Sequence, residues 1–125
     1  MLKNNLLSTH QILRGALYWI APDPLKDSVQ HPHVVLQDDI FNASRIPTTI
    51  ICALSTNLQK ATEPGNVLLD EAEAGLPRRS VIVVSQLSVV NKLALQNYIG
   101  ALSSGRVVQV LAGLRFQQAG FLHGR

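Results

Sequence analysis

Thr48-Thr49-Ile50-Ile51-Cys52-Ala53-Leu54, opened by Pro47 and followed by Ser55, is the stretch whose reading decides the fold. It is apolar and rich in β-branched residues, the composition of a strand buried inside a core. Ser80-Val81-Ile82-Val83-Val84-Ser85 repeats the pattern downstream. Working outward, Ala16-Leu17-Tyr18-Trp19-Ile20 is a third β run, stopped by Pro22 and Pro24. Val34-Val35-Leu36 is a fourth, closed by Gln37-Asp38-Asp39, and Asn66–Leu69 is a fifth, after a Pro64-Gly65 turn. Leu25–Pro32 and Asp70–Arg79 read as loops. Short β runs with turns between them and no βαβ alternation predict a small barrel or a strongly coiled antiparallel sheet. The last third differs. Asn91–Gln96 suits one or two helical turns. Ser103 is a good N-cap for a helix to about Phe116, with Val107, Val110, Leu111 and Leu114 along one stripe and a frayed tail at Gly120 and Gly124.

At 125 residues and 13.6 kDa, the length suits one domain, placed at 14–125 behind a leader or arm at 1–13. Apolar residues make up 46 % and charged residues 15 %, against about 25 % in an ordinary domain. That balance excludes disorder as the default. It also leaves too little charge to cover a small domain, which predicts that another chain covers part of its surface. The net charge of +3 is mild and its cations are dispersed, with Arg78-Arg79 the only adjacent pair. Dense duplex-DNA binding is not expected, whereas a short single strand, needing few phosphate contacts, fits. No secretory h-region and no run near the ~18 apolar residues of a membrane span is present, so no membrane association and a cytoplasmic location are expected. The single cysteine, Cys52, excludes an internal disulfide and reads as a core residue.

No phosphate-binding loop, dinucleotide fingerprint or zincin motif occurs. Ser28-Val29-Gln30-His31-Pro32-His33 is the densest chemical neighbourhood. In an extended chain His31 and His33 share a face. Two imidazoles can divide acid and base roles near neutral pH, begin a metal site, or be plain surface histidines. Ser55 either bonds to backbone at a strand end or offers its hydroxyl to a ligand. Asp38-Asp39 is best read as a turn cap, Glu71 and Glu73 as a solvated face, and Arg78-Arg79 as solubilising.

Arg14-Gly15-Ala16-Leu17-Tyr18-Trp19 with Asp23-Pro24 resembles the opening strand of PemK/MazF-type toxin endoribonucleases. Further matches follow in the family's order. They are His31–Asp39, Phe41-Asn42, Pro47–Ile51, Gly65–Leu69, Gly75-Leu76, Ser80–Leu87 and Ile99–Ser103, spanning about Arg14 to Phe116. The resemblance implies a mostly β fold with a C-terminal helix, an SH3-like barrel of the PemK/MazF/CcdB type. It also implies a homodimer and a cognate antitoxin occupying the RNA groove. The implied reaction cleaves single-stranded RNA without metal or other cofactor, leaving a 2′,3′-cyclic phosphate and a 5′-OH.

Carried over by position, the family's catalytic arginine falls on His31, a departure, and its hydroxyl residue falls on Ser55. Ser28 and Gln30 correspond to its polar loop, without the usual glutamate and glycines, and Gln86 matches its glutamine. These positions imply His31 as acid or base, His33 in support, Ser55 as hydroxyl donor, and Ser28, Gln30 and Gln86 on the RNA. A histidine can exchange protons near pH 7 but lacks arginine's permanent charge and fork. The rival expectations are a catalytically weakened RNA- or antitoxin-binding member and a gyrase-poisoning toxin.

Overall fold

A computed structural model describes residues 11–21, 29–95 and 97–122. Along the chain run β1 (Ala16–Ile20), β2 (His31–Val35), α1 (Asp39–Asn42), β3 (Thr48–Ser55), β4 (Val67–Leu69), β5 (Ser80–Asn91), β6 (Asn97–Ala101) and α2 (Ser104–Leu122). Single 3-10 turns lie at Leu58–Thr62, Glu73–Gly75 and Lys92–Ala94. All these strands join one sheet in the order β4-β5-β3-β2-β1-β6, and every pairing is antiparallel. Within it β1, β3 and the first half of β5 are largely apolar runs because both of their faces are largely covered.

Alternation distributes the side chains. Leu17, Val34, Cys52, Leu54, Ile82 and Val84 face one way, into a core that also takes Val110 of α2 and, at its margin, Val107 and Leu114. Ala16, Tyr18, Ile20, Val35 and Ile51 face the other way and form a second cluster with Ile12, Val90 and Leu95. Each fully buried aliphatic side chain is worth about 1.5–3 kcal/mol relative to exposure, so these two sets supply most of the driving force.

The sheet curls so that its two edges are bridged without pairing. The Glu73–Gly75 turn, downstream of edge strand β4, rests on edge strand β6. There a Cβ on Gly100 would collide with the Ala74 carbonyl. Ala72 and Ala74 hold left-handed φ values of 64° and 56° in this turn. Arg106 of α2 clamps it with a two-pronged contact to Glu73, Nε to Oε2 at 2.7 Å and a terminal nitrogen to Oε1 at 3.1 Å. That pairing holds the Glu73 carboxyl below the ordinary carboxylate range. Glu73 is therefore a buttress and not the expected solvated residue.

Other expectations divide. Asp38 caps α1 through the Ile40 N–H, and Ser103 caps α2 through the Arg106 N–H, as their positions predict. Cys52 is buried as expected, with its thiol pushed up to about 12 by burial. Six strands replace five. β6 escapes the strand pattern because Asn97-Tyr98-Ile99-Gly100-Ala101 mixes polar and small residues, as an edge strand can. The second half of β5, Gln86–Asn91, is nearly all exposed, and its apolar residues are interrupted by polar ones instead of forming a run. His31 and Pro32 belong to β2 and not to a loop, since pairing with Ile20 and Trp19 keeps them extended. Lys92–Ala94 is a single 3-10 turn, and α2 runs past Phe116 to Leu122. Residues 1–10 of the expected leader and the 22–28 loop lie outside the described residues. Among the described residues, no helix is long and apolar enough to cross a membrane.

Gly100→Ala should lower the urea midpoint, at a cost of about 1–3 kcal/mol, because the bridging turn must move to admit the methyl group. An unchanged midpoint would show that the bridge contributes nothing to stability.

Candidate active site

The β3–β5 ladder slips in its middle. Cys52 faces Leu87, yet Leu54 faces Ile82, so five residues of β5 pass against two of β3. Bulges of this kind bend the strand and leave backbone groups to be met by other partners. Here side chains meet them. The Cys52 thiol donates to the Val83 carbonyl at 3.0 Å, and the Val84 N–H donates to Asn66 Oδ1 at 3.1 Å. The Asn66 amide nitrogen then donates to the Lys60 carbonyl at 2.9 Å, tying the Leu58–Thr62 turn to the bulge.

Over the bulge opens a cleft of ≈ 430 Å³. The start of β2 contributes His31, Pro32 and His33, and the end of β3 contributes Ala53, Leu54 and Ser55, continued by Thr56. Lys60, Ser80 and Gln86 complete the lining. Register explains the grouping: His33 pairs with Ala53, and Ser55 lies two residues further along the same face. Four residues singled out in the sequence, His31, His33, Ser55 and Gln86, thus come together. Gln30 does not line the cleft; its side-chain oxygen takes an Asn97 amide hydrogen at 3.4 Å. Ser28 lies outside the described residues.

The two histidines differ. His31 is exposed, whereas His33 is 9 % exposed. His33 Nδ1 sits 2.9 Å from the His31 carbonyl oxygen. A carbonyl can only accept, so Nδ1 carries the hydrogen and Nε2 of the neutral ring keeps its lone pair. Burial pulls the His33 pKa below its usual 6.5, against the opposing pull of that hydrogen bond, and the nearby His31 ring adds to the lowering. His33 is therefore a neutral imidazole of fixed tautomer at pH 7. Ser55 Oγ accepts the Asn57 N–H at 3.1 Å, which leaves its own hydrogen to donate elsewhere.

Sequence reasoning did not single out Lys60, Thr56 or Ser80. Lys60 is the one lysine or arginine lining the cleft among the described residues. It forms a half-exposed ion pair with Glu63 at 3.7 Å, too weak to fix the ammonium. No local signal marks Lys60, because what the Asn66 amide holds is its backbone carbonyl, which any residue would offer. A neutral base, an exposed imidazole, a free hydroxyl hydrogen and one cation are the groups that a transfer at phosphorus needs.

The chain as a whole is similar to known toxins. The profile of PemK-like, MazF-like toxins of type II toxin–antitoxin systems matches residues 13–117. The endoribonuclease MazF6 of Mycobacterium tuberculosis is 34 % identical over 107 residues, covering 83 % of this chain and 94 % of that protein. The endoribonuclease EndoA of Bacillus subtilis is 32 % identical over 111 residues, covering 86 % and 95 %. A mycobacterial endoribonuclease solved in complex with its cognate antitoxin superposes with a TM-score of 0.71 at 16 % identity, covering 86 % of this chain and 94 % of that one. A MazE–MazF structure from Deinococcus radiodurans also gives 0.71, at 15 % identity, covering 88 % and 98 %. By the span of the profile match and the identity of these relatives, the chain belongs to the PemK-like, MazF-like toxins of type II toxin–antitoxin systems.

Proposed function

We propose that this chain is the toxin of a toxin–antitoxin pair and cleaves single-stranded RNA without a metal. The observation that carries this reading is the joining of His31, His33, Ser55 and Lys60 in one cleft, in a chain related to endoribonucleases. The ribose 2′-OH attacks the adjacent phosphorus while the bond from phosphorus to the 5′-oxygen breaks. A 2′,3′-cyclic phosphate and a free 5′-OH result. His33 Nε2 takes the 2′-OH proton, and His31 gives a proton to the departing 5′-oxygen. The Ser55 hydroxyl and the Lys60 ammonium stabilise charge on the phosphorane oxygens. Gln86 orients the strand from the bulge, with Ser28 and Gln30 assigned to the RNA on the resemblance alone.

A homodimer suits the apolar strip on one face of β3 and β5, where Ile50 lies opposite Val89 beside Leu87, all three exposed in the single chain. The protein partner is a cognate antitoxin, as for the mycobacterial endoribonuclease solved in complex with its own, and it would cover the groove. The cytoplasm is the compartment that holds such a substrate.

Purified protein incubated with single-stranded RNA and EDTA should yield cyclic-phosphate and 5′-OH ends. His31→Ala should lower the rate by roughly 10²–10⁴-fold, the usual scale of general acid–base catalysis. Undiminished cleavage by that variant would sink the assignment, and RNA binding without products would identify a binding module instead.

The His33 shift also sets a pH dependence. In the unfolded chain His33 takes its proton near 6.5, and in the folded chain only at lower pH. The unfolded state therefore binds more protons over that interval, and stability falls as pH drops from 6.5 towards the folded value. Denaturant midpoints measured from pH 7.5 to 5 should show this loss, and His33→Gln should remove it. The Glu73 contribution is lost as pH falls from 4.5 towards that group's lowered folded value, beneath the range of these measurements. A loss unchanged in His33→Gln would refute the buried neutral imidazole.

A further inference from the structure

The cleft does not end at Ser55 and Lys60. Thr56, in its lining, also lines a second, shallower depression of ≈ 330 Å³ formed with Leu58, Glu71, Pro77, Arg78 and Arg79. The two depressions are anchored to one another from the other side as well. Ser80 lines the first, and its hydroxyl donates to the Arg78 carbonyl at 3.0 Å, pinning the arginine pair to the start of β5.

The state of the cations separates this pair from most others. Arg14, Lys60, Lys92 and Arg106 are engaged by carboxylates or backbone carbonyls. The Arg78 and Arg79 guanidiniums are exposed and make no hydrogen bond or ion pair among the described residues. Two unengaged guanidinium forks at adjacent positions favour phosphate oxygens. Leu58, 40 % exposed, and Pro77 give the depression apolar surface on which a base can rest. Glu71 is an acceptor for a base's amino group, and its charge disfavours a phosphate on that side.

We propose that this depression is a subsite for the RNA strand beyond the scissile linkage, with Arg78 and Arg79 holding two flanking phosphates. The subsite rests on the ribonuclease reading, but it concerns affinity and strand length and not the chemical step. A substrate too short to reach past Thr56 gains nothing from it.

The test uses the full chain and 2′-O-methyl RNA oligomers of mixed sequence, which lack the attacking hydroxyl and stay intact. Binding to a 15-mer is followed by fluorescence anisotropy between 50 and 200 mM salt. Arg78→Gln/Arg79→Gln should reduce the salt slope by about 1.4, since each phosphate that a single strand no longer has neutralised lowers the slope by ~0.7. Arg78→Lys/Arg79→Lys should retain most of the slope, and a 4-mer should bind both variants as it binds the parent. Arg115→Gln, another exposed cation, should leave the slope unchanged. An unaltered slope in the double glutamine variant, or an equal reduction in Arg115→Gln, would overturn the subsite. Absence of binding by the parent would overturn both the subsite and the ribonuclease reading. Normal binding, with the expected slope change but no cleavage of ordinary RNA, would retire the reaction and support the subsite.

Discussion

The slipped register between β3 and β5 is the constraint on which the rest of the site depends. A regular ladder would keep β5 straight and return every backbone group to its neighbour. The slip turns β5, brings Gln86 towards the ends of β2 and β3, and leaves peptide groups that need partners away from water. An unmet buried peptide group costs about 1–3 kcal/mol, so the fold tolerates the bend only with side chains in place to satisfy it. Cys52 and Asn66 fill that role at a single peptide group, the one that joins the Val83 carbonyl to the Val84 N–H. Because Asn66 also grips the Lys60 carbonyl, one amide side chain connects the bend to the cation that faces the cleft.

Electrostatics in the cleft follow from scarcity. With few charged residues in the chain, the cleft is lined by one ammonium and two imidazoles. Burial keeps one imidazole neutral, and the hydrogen bond from Nδ1 decides which nitrogen holds the lone pair. The other imidazole is exposed to solvent. Two chemically identical side chains therefore meet different environments, two residues apart on one strand.

Much of this is legible in the sequence, for reasons that can be stated residue by residue. Strands with both faces covered announce themselves, which is why Thr48–Leu54 and the first half of β5 are readable. Gln86–Asn91 is largely exposed and carries no such mark, and edge strand β6 is too mixed in composition. His31, His33, Ser55 and Gln86 can be found there, the first three by chemistry and position and Gln86 by resemblance alone. Lys60 cannot, because its place in the cleft comes from a turn held by another residue's amide. Glu73 reads as solvated because its partner, Arg106, lies 33 positions away. Neither relation leaves a local pattern.

Cys52 has a consequence outside catalysis. Its thiol lies fully buried behind the cleft, with its proton held to about pH 12 and committed to the Val83 carbonyl. Thiolate is the reactive form, so the native molecule presents almost none of it to an oxidant or an alkylating reagent. Modification then requires β3 and β5 to part. The rate at which this single sulfur is labelled reads the local free energy of parting β3 from β5, and an oxidant that damages exposed thiols would pass this one by.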